Sequence, residues 1–156
     1  MTDSNLIKAI NTYHLGDNID HYKGFVPIKE TENQLDLRIV FFPFKVDYLL
    51  VQEQLPVGID HLGVSVLNNN IAGVHFLLTD TSSILPMLET EYGPWNTKFT
   101  GMLDGYGYNW KKSPCITYTN TSVPYRTDIQ KTVISVYQCD QFKQIVVKSF
   151  SKYIKD

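Results

Sequence analysis

In DTSSILPMLETEYGPWNTKFTGMLDGYGYNW, residues 80–110, one short and well-punctuated helix interrupts a chain of β-type segments. Ser83 stands where an N-cap is needed, because a serine oxygen accepts from the free N–H groups of a first turn. Pro86 then falls inside that first turn, where its missing N–H forfeits no intrahelical partner. Leu85, Leu88 and Tyr92 recur at helical spacing, and Gly93-Pro94 supplies a left-handed cap followed by a stop. The spacing predicts a helix from Ile84 to Tyr92. After Trp95 no periodicity returns until Tyr106, across a loop rich in glycine and aromatic residues. A strand pair, a helix, an irregular loop and further strands, in that order, indicate an α+β domain rather than repeated βα units.

Before the helix, Leu62, Val64 and Val66 alternate as a strand and Asn68-Asn69-Asn70 supplies residues that tolerate positive φ. Ile71 to Leu78 returns as the hairpin partner. It is apolar on both faces and belongs at the sheet centre, under a helix. Leu35, Leu37, Ile39 and Phe41 alternate with Asp36, Arg38 and Val40. Phe44, Val46, Tyr48 and Leu50 resume that pattern beyond Pro43, which marks a bulge or edge. Asn5 to Tyr13 reads as a helix capped by Ser4, with Leu6, Ile7, Ile10 and Tyr13 in one stripe and Gly16 closing it. A second turn runs from Asp17 to Gly24. Toward the C-terminus, strands are expected over Tyr106–Trp110, Cys115–Thr119 and Thr132–Gln138, with a polar connection from Asn120 to Asp128. Asp140 can cap a last helix in which Phe142, Ile145, Val146, Phe150, Tyr153 and Ile154 follow at spacings of three and four. The expectation is a single α+β domain over residues 1–156. Its mainly antiparallel sheet of six to seven strands carries N-terminal, central and C-terminal helices. A chain of 156 residues can bury such a core without a metal or disulfide staple.

The formal net charge is −2 and the basic residues are scattered, so the concentrated positive surface that nucleic acid requires is missing. Lys143, Lys148, Lys152 and Lys155 read as the solvated face of the last helix. The first residues lack a basic segment followed by an apolar one, and no apolar run approaches the ~20 residues that span a bilayer. These observations predict a soluble, cytoplasmic protein with no membrane partner. Cys115 and Cys139 can pair across neighbouring strands in an oxidising compartment, but in the cytosol they are expected to be buried thiols. Asn120-Thr121-Ser122 matches a glycosylation acceptor, a coincidence in a protein without an export signal.

The four histidines, His14, His21, His61 and His75, form no H-E-x-x-H motif or helical i, i+4 pair, and the two cysteines form no C-x-x-C. The Asp17 to His21 cluster is expected to be a helix-capping loop, and His75 a hydrogen-bonded core residue. No metal or cofactor is expected. Cys115 or Cys139 beside His61 or His75 lacks any local catalytic signature, and Gly101, Gly105 and Gly107 fit no phosphate-binding loop. The candidate binding residues are Trp95, Phe99, Asp104, Tyr106 and Tyr108, with Trp110 beside them as the one most suited to the core. Trp and Tyr desolvate large areas with few rotors and dominate interface energetics. The same row can instead pack under a helix. The sequence therefore reads as a non-enzymatic protein-binding module, an inhibitor or immunity-type protein that occludes a toxin or enzyme. A small-ligand binder with a pocket between sheet and helix is the alternative, and a hydrolase the third.

Overall fold

The computed structural model describes residues 3–28, 41, 44–78, 84–100, 105–112, 114–123 and 126–140. In chain order they form α1 (Asp3–Thr12), β1 (Phe25–Pro27), β2 (Tyr48–Leu50), β3 (Ile59–Leu67) and β4 (Asn70–Leu78). There follow α2 (Ile84–Tyr92), β5 (Thr97–Thr100), β6 (Tyr106–Trp110), β7 (Cys115–Val123) and β8 (Arg126–Tyr137). All eight strands join one antiparallel sheet in the order β1-β2-β3-β4-β8-β7-β6-β5. Two meanders, β1 to β4 and β5 to β8, therefore meet where β4 pairs with β8. The chain between the meanders contains α2.

β4 is buried from Ile71 to Leu78, which places it as centrally as its two-sided apolar pattern requires. Its alternate residues serve two different cores. On the first face, Phe76 lies between Leu62 of β3 and Ile134 of β8, and Leu6 of α1 and Leu88 of α2 belong to the same cluster. On the second face, Leu77 and Val133 pack with Phe41, while Phe44 packs with Cys115 and Tyr137. Asn68 (φ 53°) and Asn69 (φ 66°) make the tight turn between β3 and β4. Gly93 (φ 84°) closes α2, its N–H donating to the Glu89 carbonyl at 2.9 Å.

Several elements depart from expectation. The sheet has eight strands rather than six to seven, because β1 and β5 are edge strands of three and four residues that carry too little alternation to be read. α1 starts at Asp3, so Ser4 lies within its first turn and not ahead of it. Of the strand expected over Leu35 to Phe41, the one described residue, Phe41, is helical and buried against the second face. The 44–50 alternation is broken: Val46 packs with Phe41 on the second face, whereas Tyr48 joins the first, leaving only Tyr48–Leu50 as strand. In the polar stretch from Asn120 to Asp128, expected as a connection, the described residues 120–123 and 126–128 instead belong to β7 and β8. Cross-strand pairing absorbs its polarity, as when Asn120 Nδ2 donates to Thr132 Oγ1 at 3.1 Å. Asn120 is also buried, which removes it as a glycosylation acceptor in the folded state. Ser83 and the C-terminal helix beyond Asp140 lie outside the described residues.

Cys115 and Cys139 are not free thiols. They form a disulfide with Cα atoms 5.4 Å apart, made possible because Cys115 pairs with Tyr137 two residues before Cys139. The bond closes a loop spanning 24 positions of sequence separation, for which chain entropy gives about 3 kcal/mol of stabilisation. Reduction, or a Cys115→Ala/Cys139→Ala double substitution, is expected to lower the urea-unfolding free energy by about that amount. Replacing Gly93 with Ala, which forces a side chain into the left-handed region, is expected to cost about 1 kcal/mol in the same assay.

Candidate functional site

β6 alternates Tyr106, Tyr108 and Trp110 on the first face with Gly107 and Asn109 on the second. Its neighbours fix that assignment. Tyr108 is opposite Lys98 in β5 and Tyr118 in β7, and Trp110 is opposite Ile116, which belongs to the first-face core. Trp110 is buried and its indole Nε1–H donates to the Gly93 carbonyl at 2.7 Å, tying β6 to the end of α2. Beyond the reach of that helix, the same row of side chains comes to the surface.

Trp95 and Tyr108 have ring centroids 5.0 Å apart, Tyr108 and Tyr106 6.0 Å, and Tyr108 and Tyr118 6.0 Å. The rings are inclined by 50°, 82° and 51°, so they make a faceted cluster rather than a flat platform. Tyr118 is its floor, buried, with burial pushing its phenol up from the usual range. Trp95 and Tyr106 form its outer wall, 38% and 41% exposed, and account for two of the four large apolar side chains exposed among the described residues. Lys98 Nζ sits 5.6 Å from the Tyr108 centroid and 6.0 Å from that of Tyr106, within cation–π range of both. The loop carrying Trp95 is pinned by its neighbour. Asn96 N–H donates to the Asn109 carbonyl at 2.7 Å, and the Asn96 side chain accepts from Lys111 N–H at 2.6 Å. The rings are thus held in place before anything meets them.

Trp95, Tyr106 and Tyr108 accordingly come together. Phe99 does not join them. It pairs with Gly107 on the second face, its ring occupying the space a Gly107 side chain would need. Asp104 lies outside the described residues. Two members of the cluster, Lys98 and Tyr118, escape sequence reasoning because only strand register makes them neighbours.

The other chemistry-bearing groups are committed elsewhere. Asn18 Oδ1 accepts from Asp20 N–H at 2.8 Å and Tyr22 OH donates to Asp17 at 2.7 Å, so the 17–22 cluster serves its own turn. Both sulfurs are bonded to each other, leaving no thiol nucleophile. On the second face, Tyr137 OH, Thr117, Asn109 and Thr97 form a hydrogen-bonded chain with steps of 3.0, 3.0 and 3.2 Å. His75 lies on that face too, fully buried between Ser65 and Ser135. No helix among the described residues is long and apolar enough to cross a membrane.

No protein-family profile, curated protein or solved structure matches this chain. Its function is therefore read from geometry alone.

The close packing behind the cluster gives a direct check. A Cβ at Gly107 would collide with the Phe99 ring and lie 2.6 Å from the Tyr118 carbonyl oxygen. Gly107→Ala is expected to lose about 1–3 kcal/mol of stability, measured by urea unfolding. Combining it with Phe99→Ala should not restore the loss, because the backbone collision remains.

Proposed function

We propose that this protein is a non-enzymatic binding module that engages another protein through Trp95, Tyr106 and Tyr108, in the manner of an inhibitor or immunity-type protein. The observation that carries the reading is the faceted ring cluster, half exposed and already fixed by Asn96 and Tyr118. Large, rigid, amphipathic side chains set at angles suit a partner's side chain wedged among them, and they lose little conformational entropy on binding. Lys98 adds a cationic rim and the phenols supply hydrogen-bonding tips. The first-face core beneath α2 is filled by Leu88, Trp110 and Ile116, which weighs against a small-ligand pocket between sheet and helix. A Cys115–Cys139 bond is at home in an oxidising compartment, so a partner met there accords with the structure better than the cytoplasmic setting read from the sequence.

The test is an affinity capture from the native host under non-reducing conditions, comparing wild type with Trp95→Ala/Tyr106→Ala. The wild type should retain a protein that the variant binds about 30-fold or more weakly, as central aromatic anchors do, while both unfold within a few degrees of each other. Equal retention by both, or no specific protein retained by the wild type, would contradict the assignment.

A further inference from the structure

His75 is the buried, hydrogen-bonded core residue that its place in an apolar strand suggested, and its proton positions follow from its partners. The Ser65 hydroxyl donates its single proton to the Lys45 carbonyl. The 2.8 Å contact between Ser65 Oγ and His75 Nε2 must then be an Nε2–H donation. His75 Nδ1 is left as an acceptor for the Ser135 hydroxyl at 2.7 Å. Both nitrogens are satisfied in the neutral ring, in one tautomer. A second proton on Nδ1 would require the Ser135 hydroxyl to turn its own proton away and accept instead.

Among the described residues, serine hydroxyls and aromatic rings border the imidazole, and no carboxylate hydrogen-bonds to either ring nitrogen. Phe44 lies over the ring at 4.7 Å between centroids, and Phe41 stands at 6.4 Å. Among the described residues, the ionisable groups on the elements packed around the ring are Lys45 and Asp47 of the 44–47 segment, Asp60 and His61 of β3, and Arg126, Asp128, Lys131 and Tyr137 of β8; His61 stands opposite Leu77, and Lys131 is paired with Asp60 at 2.9 Å. Asp47 is engaged with the Lys45 ammonium at 3.3 Å and with Val66 N–H at 2.9 Å. Burial raises the Tyr137 phenol above its usual range, so it stays neutral wherever a histidine titrates. Burial alone takes the imidazole down to about 3.

The walls of this site differ in strength. Behind His75 stands the ladder of β3, β4 and β8, whose β3–β4 register shifts between Ser65 and Val66. In front is the strap Phe44–Asp47, held by the Phe44 ring against His75 and Tyr137, the Ser65 donation to Lys45, Val46 seated against Gly63, the Asp47 N–H to Val64 carbonyl bond at 2.9 Å, the Ile28 N–H to Asp47 carbonyl bond at 2.8 Å, and the Val66 N–H to Asp47 carboxylate bond at 2.9 Å. The Phe44 ring contact and the Ser65 donation to Lys45 are the attachments that involve His75 or its hydrogen-bond partner. We propose that His75 is an acid-sensitive latch whose protonation releases the strap Phe44–Asp47 from the sheet while the β3–β4–β8 ladder stays closed. The sign follows from linkage. The closed form excludes the proton and the open form takes it up, so opening becomes easier as pH falls below the ordinary histidine range of about 6.5.

Amide hydrogen exchange, corrected for intrinsic rates and followed from pH 7.5 to pH 5, tests this on the intact disulfide-bonded protein. The opening constant at the Asp47 and Val66 amides should rise about 30-fold across that pH range, the factor for one histidine of ordinary pKa. It should exceed that of the Phe76 and Ile134 ladder amides throughout. His75→Gln should abolish the rise. A pH-independent strap, a rise that survives His75→Gln, or strap and ladder amides sharing one opening constant at pH 5 would overturn the proposal. Should His75→Gln fail to fold, imidazole nitrogen NMR of the wild type decides. A neutral Nε2–H ring throughout is expected, and titration near pH 6.5 with strap protection unchanged would overturn it.

Discussion

The register of β6 is the constraint on which this structure turns. Because side chains alternate along a strand, pairing Tyr108 with Tyr118 and Trp110 with Ile116 sends every second residue to the first face and its neighbours to the second. A slip of one position would bury Asn109 among leucines and push Trp110 to the opposite side. Two unlike anchors prevent it. Trp110 reaches the Gly93 carbonyl at the end of α2, and Gly107 admits the Phe99 ring where any side chain would collide. The same alternation that buries Trp110 under α2 lifts Tyr108 and Tyr106 progressively out of the core, so the candidate surface is the continuation of the core row beyond the helix that covers it.

The two faces of the sheet solve different problems. The first is apolar at its centre and becomes aromatic at its margin, where phenol tips, Lys98 and the Asn120–Thr132 pair bring polarity. The second carries Ser65, His75, Ser135 and Thr117 in a buried band, each provided with a partner. Buried polar groups of that kind are costly when left unpaired and specify a single arrangement when satisfied. Ser65 illustrates the economy. One hydroxyl both orients the His75 ring and fastens the Phe44–Asp47 strap through the Lys45 carbonyl, so the packing of the strap and the protonation of the ring are one event.

Much of the architecture was legible in the residues themselves. α2 could be bounded because Pro86 and Gly93-Pro94 restrict backbone geometry whatever surrounds them, and the β3–β4 turn because asparagine tolerates positive φ. Features set by distant parts of the chain were not legible. β1 and β5 are strands because β2 and β6 pair with them, not because of the pattern of their own three or four residues. Val46 and Tyr48 fall on opposite faces although they sit two apart, and the Val46 side chain occupies the space that the missing Gly63 side chain leaves. Trp95, Tyr106 and Tyr108 share a composition and come together in space, whereas Phe99 leaves the group through strand parity and Lys98 and Tyr118 enter it through register. The disulfide was hidden for another reason: the spacing of two cysteines suits a bond or two thiols equally, and a cytosolic setting favours the thiols.

The central claim is that Trp95 faces solvent within a ring cluster while Trp110 is sealed beneath α2. The chain contains only these two tryptophans, so single-tryptophan variants separate them. Acrylamide quenching of indole fluorescence should be strong with a red-shifted maximum in Trp110→Phe, which retains Trp95, and weak with a blue-shifted maximum in Trp95→Phe, which retains Trp110. Two equally protected indoles, or the reverse order, would contradict the β6 register and the binding surface built on it.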